Sequence, residues 1–458
     1  MLESQNNFIL ESKIACDNEH KKNILSKNLD NYYKKWNTSK NIFADLDVAK
    51  KKVHYAKYKS IENLEKNIID FEKNFTELGG KVLYAPSKKE ALSYILQILN
   101  DNDINKVIKS KSTVCEEIGL DEFLISKKIS SLETNLGDFL VQQVGQKSAH
   151  IVTSAVHMSK TEIVGFLNEK YDQEFSDNTS HEILVRFIRN LLREEFLKAG
   201  AGITGANFLI ANQGSIAITE NEANAILSAT SSKVHIVVAG IEKILPSADN
   251  LELFQTLLAS HATGQNITTY NHLFSGIQKQ TENQRQIYVI LLDNGRTSLM
   301  KDVMLREASY CIKCGACYNF CPVFKQIGGH AYGTVYGGPI GSVISPYIFG
   351  IKNFSHLPYA STLCGKCNDV CPVRIDLTSL LIQERKNIVS NSINNSSERR
   401  AFKMLSKVLL KRKRMERRPA FLKNISITLT LRKNWSQQRE VPKFAKQSFN
   451  KIKKIDKN

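Results

Sequence analysis

The sequence predicts a mixed α/β protein, in which a domain with a largely parallel sheet precedes a helical, cysteine-rich domain. Two observations support this prediction. From about residue 62 to residue 294, short apolar segments alternate with amphipathic ones, which is the rhythm of βα units. Seven of the nine cysteines then fall between residues 311 and 371. A chain of 458 residues is long enough for two or three domains.

The α/β elements can be placed from their apolar patterns. Short apolar runs predict strands at "KVLYA" (81–85), "KVIKS" (106–110), "HIVTSAV" (150–156), "KVHIVVAG" (233–240) and "QIYVILLDN" (286–294). "ANFLIANQGSIAIT" predicts two strands that turn at Gln213-Gly214. Helices are predicted at 87–99 with Ser87 as N-cap, from "TVCEEIGL", from about Ser159, and at 181–200 ending on Gly200.

Two glycine-rich segments invite a functional reading that the sequence does not favour. "GAGITG" (200–205) fits G-x-G-x-x-G, but a helix precedes it and a β pattern follows, which is the wrong context for a dinucleotide loop. A helix C-cap and a tight turn are the favoured prediction for it. The charge-free run 331–351 contains five glycines and two prolines, which predicts loops and turns rather than a membrane span. No transmembrane helix is predicted.

The stretch "CIKCGACYNFCP" (311–322) has the spacing of a bacterial four-iron ferredoxin run. Three thiolates from one short loop can cap three corners of a cubic cluster, and the fourth cysteine then serves a second cluster. Zinc sites usually pair two cysteines and collect the other ligands at a distance, so the spacing favours iron–sulfur over zinc.

A shorter echo, "STLCGKCNDVCP" (361–372), has serine where the leading cysteine would stand. Crossed ligation then predicts one cluster on Cys311, Cys314, Cys317 and Cys371, and a second on Cys321, Cys364 and Cys367. The fourth corner of the second cluster is open to Ser361, water, another residue or a partner, or it is missing, as in a three-iron cluster. Two clusters that share crossed ligands lie close together, which favours an electron relay over a structural staple.

Charge is concentrated at the end of the chain. Residues 397–458 carry 20 Lys and Arg against four Asp and Glu, a net of +16, out of +18 for the whole protein. Such a tail suits an acidic partner or an anionic membrane surface, so any membrane contact is expected to be peripheral. It lacks the interleaved aromatics of a single-strand binder, so no nucleic-acid role is expected. The N-terminus has no signal-peptide pattern, and the clustered, odd cysteine set suits a reducing cytoplasm.

Polar residues near the predicted strand ends form a second candidate site, because open sheets bind ligands there. They are Lys109, Ser110, Lys111, Glu133, Asn135, Asp138, His157 and Asn207. Lys109 and Lys111 could hold a carboxylate or a phosphate, but capping and solvation are the favoured roles for each residue alone. His330 is expected to be structural, with a donor role toward a cluster sulfur or a redox-linked proton site as the alternatives. Cys16 and Cys115 are expected to be ordinary thiols.

These motifs lie in a longer context that resembles the lactate utilisation protein B family. The resemblance rests on "CIKCGACYNFCPVFKQIGGHAYGTVYGGPIGSVISP" and "LPYASTLCGKCNDVCPVRIDL". It extends to "KSKSTVCEEIGL" (109–120), "ETNLGDFLVQ" (133–142) and the tail "LRKNWSQQREVPKFAKQSF". The resemblance covers nearly the whole chain from about residue 60. It includes the serine at 361, which resembles the family in standing where the leading cysteine would be.

The resemblance implies an iron–sulfur subunit that works with two other lactate-utilisation subunits to oxidise L-lactate to pyruvate, with an unidentified electron acceptor. It implies two [4Fe–4S] clusters on the cysteines grouped above. It also implies an α/β domain similar to ribose-phosphate isomerases and coenzyme A transferases (61–296) and an α-helical ferredoxin domain (297–392). The sequence pattern itself predicts a helical extension before them (1–60) and a basic helical region after them (393–458).

Two functions from different classes follow. The first is an electron-transfer subunit of an L-lactate-oxidising oxidoreductase, which is not a stand-alone enzyme because the chain shows no flavin or nicotinamide fingerprint. The alternative is an enzyme of the isomerase or transferase kind with structural or sensory clusters. No catalytic residue is predicted; Glu220 and Glu222 match the carboxylate of the fold relatives too weakly to carry that role.

Overall fold

The computed structural model describes residues 3–276 and 285–391, with parts of the chain beyond (400, 403, 406–407, 409–412, 419–431, 443–447 and 452). The chain divides into two compact units, residues 1–387 and 388–458. Within the described residues, no helix is both long and apolar enough to cross a membrane.

Four helices occupy the first 77 residues, so the β pattern begins later than residue 62. They are α1 (Glu3–Asp17), α2 (Glu19–Ser39), α3 (Leu46–Glu62) and α4 (Leu64–Glu77). Asn18 and Asp45 cap α2 and α3 by accepting backbone N–H groups. Leu25, Leu29 and Val53 join the same apolar core as the cysteine region, so these helices cover the clustered cysteines rather than extend away from them.

Six parallel strands form the main sheet, in the order β1-β10-β7-β4-β2-β3. Their bounds are β1 (Lys81–Ala85), β2 (Lys106–Lys109), β3 (Ser130–Glu133), β4 (Ala201–Thr204), β7 (Val234–Gly240) and β10 (Gln286–Leu292). A smaller sheet, in the order β8-β5-β6-β9, contains β5 (Phe208–Ile210), β6 (Ser215–Glu220), β8 (Ile244–Leu245) and β9 (Tyr270–Ser275). The strand pair that turns at Gln213-Gly214 is confirmed, with Gly214 at φ 56°.

Helices cover the sheet between its strands. They are α5 (Lys88–Asp101), α6 (Thr113–Ile118), α7 (Leu120–Ser126), α8 (Leu136–Gln143), α9 (Lys160–Tyr171), α10 (His181–Lys198), α11 (Asn224–Ser231) and α12 (Leu251–Ala262). Ser87 caps α5 as predicted, and Ser159 caps α9, which begins where a helix was predicted. The strand predicted at 150–156 is wrong, because that segment is irregular, and β3 was missed.

The segment "GAGITG" is neither a dinucleotide loop nor a turn. Ala201–Thr204 is the buried strand β4, in the middle of the sheet. A Cβ on Gly202 would lie 1.7 Å from the carbonyl oxygen of Ser228, so this glycine lets α11 pack directly onto the strand. Helix α10 ends at Lys198, before Gly200, and the N–H of its C-cap Ala199 donates to the carbonyl of Glu195.

The cysteine region is helical. Its helices are α13 (Arg296–Lys301), α14 (Ala316–Asn319), α15 (Pro322–Ile327), α16 (Gly338–Phe349), α17 (Ile351–Phe354), α18 (Lys366–Val370) and α19 (Leu377–Ser390). The prediction of loops for 331–351 is wrong over α16, a helix whose first nine residues are all buried. Its glycines allow close packing: a Cβ on Gly341 would lie 2.0 Å from the carbonyl oxygen of Tyr336.

The second unit contains helix α20 (Ala420–Leu431) among its described residues. Asn424 exchanges hydrogen bonds with the backbone of Phe444, and Lys423 lies over the Phe444 ring. Most of the basic tail and of its family-like stretch lies outside the described residues.

Candidate cluster-binding site

The two cysteine runs have the same backbone conformation, 50 positions apart (311 to 361). Lys313 and Leu363 both have positive φ, at 60° and 54°, and Gly315 and Gly365 follow at 75° and 81°. A left-handed conformation is costly for lysine and leucine, and such strain persists where the surroundings impose it. Each run then enters a short helix, α14 or α18, before its last cysteine. The runs are therefore a structural repeat as well as a sequence echo.

The cysteines act on one another's pKa in two groups. Cys311, Cys314, Cys317 and Cys371 form the first thiol group. Burial, followed by the like charge of Cys311 and of the other members, raises the pKa of Cys314 and Cys317. Burial also raises the pKa of Cys371 to about 12, and Cys311 adds to this effect.

Cys321, Cys364 and Cys367 form the second thiol group. Burial raises the pKa of Cys367 to about 12, and the charges of Cys321 and Cys364 raise it further. Burial and the charge of Cys364 also raise the pKa of Cys321. Cys364 is exposed, whereas the other two are buried.

Backbone amides point at several of these sulfurs. The N–H of Lys313 donates to Cys311 Sγ at 3.4 Å, and the N–H of Ile375 donates to Cys371 Sγ at 3.3 Å. Such bonds stabilise negative charge on sulfur. Further amides that favour the thiolates of buried cysteines belong to Ala316, Val323, Phe324, Ile340 and Asn368.

The donor set fits iron–sulfur clusters. Buried thiols that repel one another as thiolates need a cationic centre to hold them ionised, and amide donors on sulfur are typical of cluster sites. In the described part of the chain, no three Cys, His, Asp or Glu side chains converge closely enough to share one metal ion.

The two thiol groups are neighbours because the same short elements carry members of both. Cys317 on α14 belongs to the first group, and Cys321, four residues on, to the second; Cys367 on α18 and Cys371 repeat this arrangement in reverse. The ring of Phe320, the residue before Cys321, packs against Tyr33 and Trp36 of α2.

Helix α3 supplies a polar face to the first thiol group, which the sequence did not reveal. Lys50 Nζ donates to the Asp369 carbonyl at 3.0 Å, His54 contacts the Val373 carbonyl at 2.9 Å, and Lys57 donates to the Glu242 carbonyl. Burial lowers the pKa of Lys57 to about 8, although Glu242 and Cys311 oppose that shift. The spacing 50, 54, 57 was the available signal, since it puts all three on one helix face.

Two tyrosine hydroxyls beside the thiols have no partner among the described residues. Tyr318 and Tyr332 are each 1% exposed, and both hydroxyl oxygens lack a hydrogen bond. The charge of Cys317 raises the pKa of both tyrosines in addition to burial, and Cys321 also acts on Tyr332. A buried, unpaired hydroxyl is unusual, so both groups are candidate donors to an acceptor at the cluster site.

The candidate site at the sheet edge is internally neutralised. Lys109 Nζ lies 2.6 Å from Glu133 and 3.1 Å from Asp121, and Lys111 Nζ lies 3.0 Å from Asp138. Despite burial, these carboxylates raise the pKa of both lysines. The lysine charges are therefore used within the fold, which does not favour the carboxylate- or phosphate-binding alternative.

The other predicted polar residues have structural partners. Asn135 caps α8, Asn207 accepts from the Thr219 N–H, His157 contacts Gln146, and the Ser110 N–H donates to Ile203. His330 is exposed and lies 2.7 Å from the Lys147 carbonyl, so the structural role is favoured. Cys16 is exposed and Cys115 is buried. Glu220 and Glu222 accept backbone N–H groups of α11 and α8.

A buried ion network joins the α/β part to the cysteine region. Arg296 donates to both oxygens of Glu117, at 2.9 and 2.7 Å, and to Glu242 at 2.6 Å. The hydroxyl of Tyr336, between the two cysteine runs, donates to Glu117 at 2.7 Å. Although burial opposes it, Arg296 lowers the pKa of Glu242 to about 2.

Comparison with known proteins places these parts in a family. A LUD domain model matches residues 68–292, and a 4Fe-4S dicluster domain model matches residues 307–375. The Bacillus cereus (strain AH820) lactate utilization protein B is 35% identical over 402 residues, which cover 85% of this chain and 84% of that protein. The chain belongs to the lactate utilization protein B family. The family and the fold class, an α/β domain followed by a two-cluster domain, are thus predicted correctly from the sequence.

Other relatives give a similar result. The Bacillus cytotoxicus lactate utilization protein B is 37% identical over 349 residues, covering 76% of this chain and 73% of that protein. The "uncharacterized electron transport protein YkgF" of Escherichia coli (strain K12) is 38% identical over 348 residues, with the same coverage. A solved structure of a duf162 family protein from Deinococcus radiodurans matches 50% of this chain and 98% of its own length at 14% identity, with a TM-score of 0.28.

Proposed function

We propose that the chain is the iron–sulfur electron-transfer subunit of a complex that oxidises L-lactate to pyruvate. The observation that carries the proposal is the pair of adjacent, crossed thiol groups, which is the arrangement of a relay rather than of one structural staple. The names of the relatives support it, since they refer to lactate utilization and to electron transport.

The first thiol group would hold one [4Fe–4S] cluster through four cysteines, and the second group would hold another through three. Clusters bound there supply one-electron transfer. The chain's own residues bury the first group, aim amide N–H groups at its sulfurs and place Lys50 and Lys57 where they favour added negative charge. Two one-electron sites match the two electrons that lactate loses when it becomes pyruvate.

Partners complete the proposed reaction. We expect two other lactate-utilisation subunits and an electron acceptor, because neither thiol group offers a site for the two-electron step on lactate. A cytoplasmic location fits oxygen-sensitive clusters and free thiols.

The proposed electron transfer is tested in the absence of oxygen. The iron-loaded chain is mixed with the two other subunits and L-lactate, and cluster reduction is followed by visible bleaching and by EPR. We expect the clusters to be reduced with L-lactate and pyruvate to accumulate, whereas D-lactate at the same concentration leaves them oxidised.

A matched pair of variants makes the test specific. Cys317→Ala removes a ligand of the first cluster, and Cys115→Ala removes a buried thiol outside both groups. We expect only the first to abolish electron transfer. Clusters that dithionite reduces but that L-lactate with the subunits leaves oxidised would refute the proposal and favour an isomerase- or transferase-like enzyme.

A further inference from the structure

We propose that Ser361 is the fourth ligand of the second cluster, bound through its side-chain oxygen. The proposal rests on the cluster assignment above and deepens it, because three cysteines leave one corner without a protein ligand. It assigns that corner to a residue that is not a cysteine.

The first step is the equivalence of Ser361 and Cys311 in the structural repeat. The N–H of Leu363 donates to Ser361 Oγ at 3.1 Å, and the N–H of Lys313 donates to Cys311 Sγ at 3.4 Å. In both runs the donor is two residues on and has a left-handed backbone. The Ser361 oxygen therefore occupies the place, and has the amide donor, of a cluster thiolate.

The second step is that the repeat extends upstream of the runs. A short 3-10 turn ends just before each leading residue, at Arg306–Tyr310 and at Leu357–Tyr359. The entry to the second run is fixed further by Arg385, which donates to the carbonyls of Pro358 at 2.9 Å and Ser361 at 3.1 Å. Ser361 thus lies on an anchored loop, as a ligand requires.

The third step is crossed ligation. Within the first thiol group, the leading run supplies three ligands and the second run supplies Cys371. Exchanging the two runs gives the second group: Cys321 from the leading run, with Cys364, Cys367 and the residue at 361 from the second. The repeat therefore brings position 361 to the second group, where Cys364 and Cys321 already act on Cys367.

Binding to iron requires the Ser361 hydroxyl to lose its proton to solvent, which the partial exposure of this residue permits. An alkoxide is a harder ligand than a thiolate and favours the more oxidised iron. The second cluster is therefore expected to have a lower reduction potential than the same site with four cysteines.

The experiment compares wild type, Ser361→Ala and Ser361→Cys, all purified anaerobically, by iron content, EPR and potentiometry. Thr362→Ala is the control, since Thr362 is exposed on the same loop. We expect about eight irons in wild type, Ser361→Cys and the control. Ser361→Cys raises the potential of the second cluster. Ser361→Ala loses one iron and gives a three-iron signal when oxidised, or keeps the iron with a shifted EPR spectrum and potential.

Second-cluster spectra and potentials that are the same in wild type, Ser361→Ala and Ser361→Cys would overturn the assignment. The first-cluster signal reports folding within the same sample, so a misfolded variant is recognised by its loss. The lactate test remains separate: wild-type clusters that L-lactate fails to reduce would refute the proposed function while leaving the Ser361 result intact.

Discussion

At the scale of single residues, the unpaired hydroxyls of Tyr318 and Tyr332 give the sharpest prediction. Each is a buried donor with no acceptor in the described part of the protein. We expect them to donate to cluster sulfur, which stabilises the reduced, more negative state. Tyr318→Phe should lower the potential of the first cluster, and Tyr332→Phe should lower that of one or both clusters. The change should be about 20–60 mV, equivalent to one modest hydrogen bond.

Redox titration monitored by EPR measures these shifts. Tyr94→Phe, on α5 and in a separate apolar core, is the matched control and should leave both potentials unchanged. Unchanged reduction potentials in both tyrosine variants would contradict the prediction, because they would show that neither hydroxyl donates to a cluster sulfur.

The sequence revealed the cysteines but not the residues around them. Soft ligands at fixed spacing need no knowledge of the fold, so the seven cysteines and the serine at 361 could be singled out directly. Lys50 and Lys57 act only because helix α3 and the cysteine region meet in space, and the tyrosine hydroxyls are buried only by tertiary packing. No local pattern predicts a contact between residues about 300 positions apart in sequence, such as Lys50 with Asp369.

At the scale of elements, long apolar strands were predicted well, whereas segments that depend on tertiary packing were not. "QIYVILLDN" is a buried strand by composition alone. "GGPIGSVISPYIF" contains three glycines and two prolines and still forms the whole of α16 with its N-cap, because its small residues let the helix fit against Tyr318 and Tyr336. Helix propensity is a weak prior that burial of this kind overrides.

The glycine in β4 offers a direct test of such packing. Gly202→Ala places a methyl group 1.7 Å from the Ser228 carbonyl oxygen, so strand β4 or helix α11 must move. We expect a loss of about 1–3 kcal/mol in the free energy of unfolding. Gly165→Ala, in an exposed and uncrowded position of helix α9, should instead add up to about 1 kcal/mol. Thermal melts of both variants give the comparison, and equal melting temperatures would contradict it.

Helix α19 contains a carboxyl group that should make stability depend on pH. Glu384 is fully buried without a hydrogen bond among the described residues, and burial with the nearby Asp302 raises its pKa to about 8. The unfolded chain has a glutamate pKa of about 4.3. Between these two pH values the folded state binds one more proton than the unfolded chain. The free energy of unfolding therefore falls as the pH rises from about 4.3 to about 8.

Glu384→Gln keeps the shape and cannot ionise. The variant should lose less stability than wild type between pH 6 and pH 8.5, by on the order of 2 kcal/mol. Anaerobic thermal melts at the two pH values measure the difference. Glu72→Gln, on the exposed face of α4, should behave like wild type. A wild-type profile in Glu384→Gln would show that this carboxyl is not protonated in the folded state.

At the scale of the whole molecule, the α/β part and the cysteine region lie in one compact unit. The network of Arg296 explains part of this union, because Glu117 and Glu242 come from the α/β part and Tyr336 from between the cysteine runs. The sequence predicts a domain boundary at residue 296, and Arg296, the centre of this ion network, lies at that boundary. The sequence pattern marks where the β rhythm stops, but it does not report ion pairs across that point.

Removing the arginine tests the union. Arg296→Met leaves two buried carboxylates without their cation, which should cost on the order of 3–5 kcal/mol of unfolding free energy. Because Tyr336 is held through Glu117, the first thiol group should also become more accessible, and air should bleach the cluster signal faster.

Arg306→Met is the control: it breaks the half-exposed pair with Glu62 and should cost less than about 1 kcal/mol of unfolding free energy. The double variant Arg296→Met with Glu117→Gln should recover part of the loss, since it removes one uncompensated charge. A stability loss in Arg296→Met with normal bleaching would mean that the network stabilises the α/β part alone.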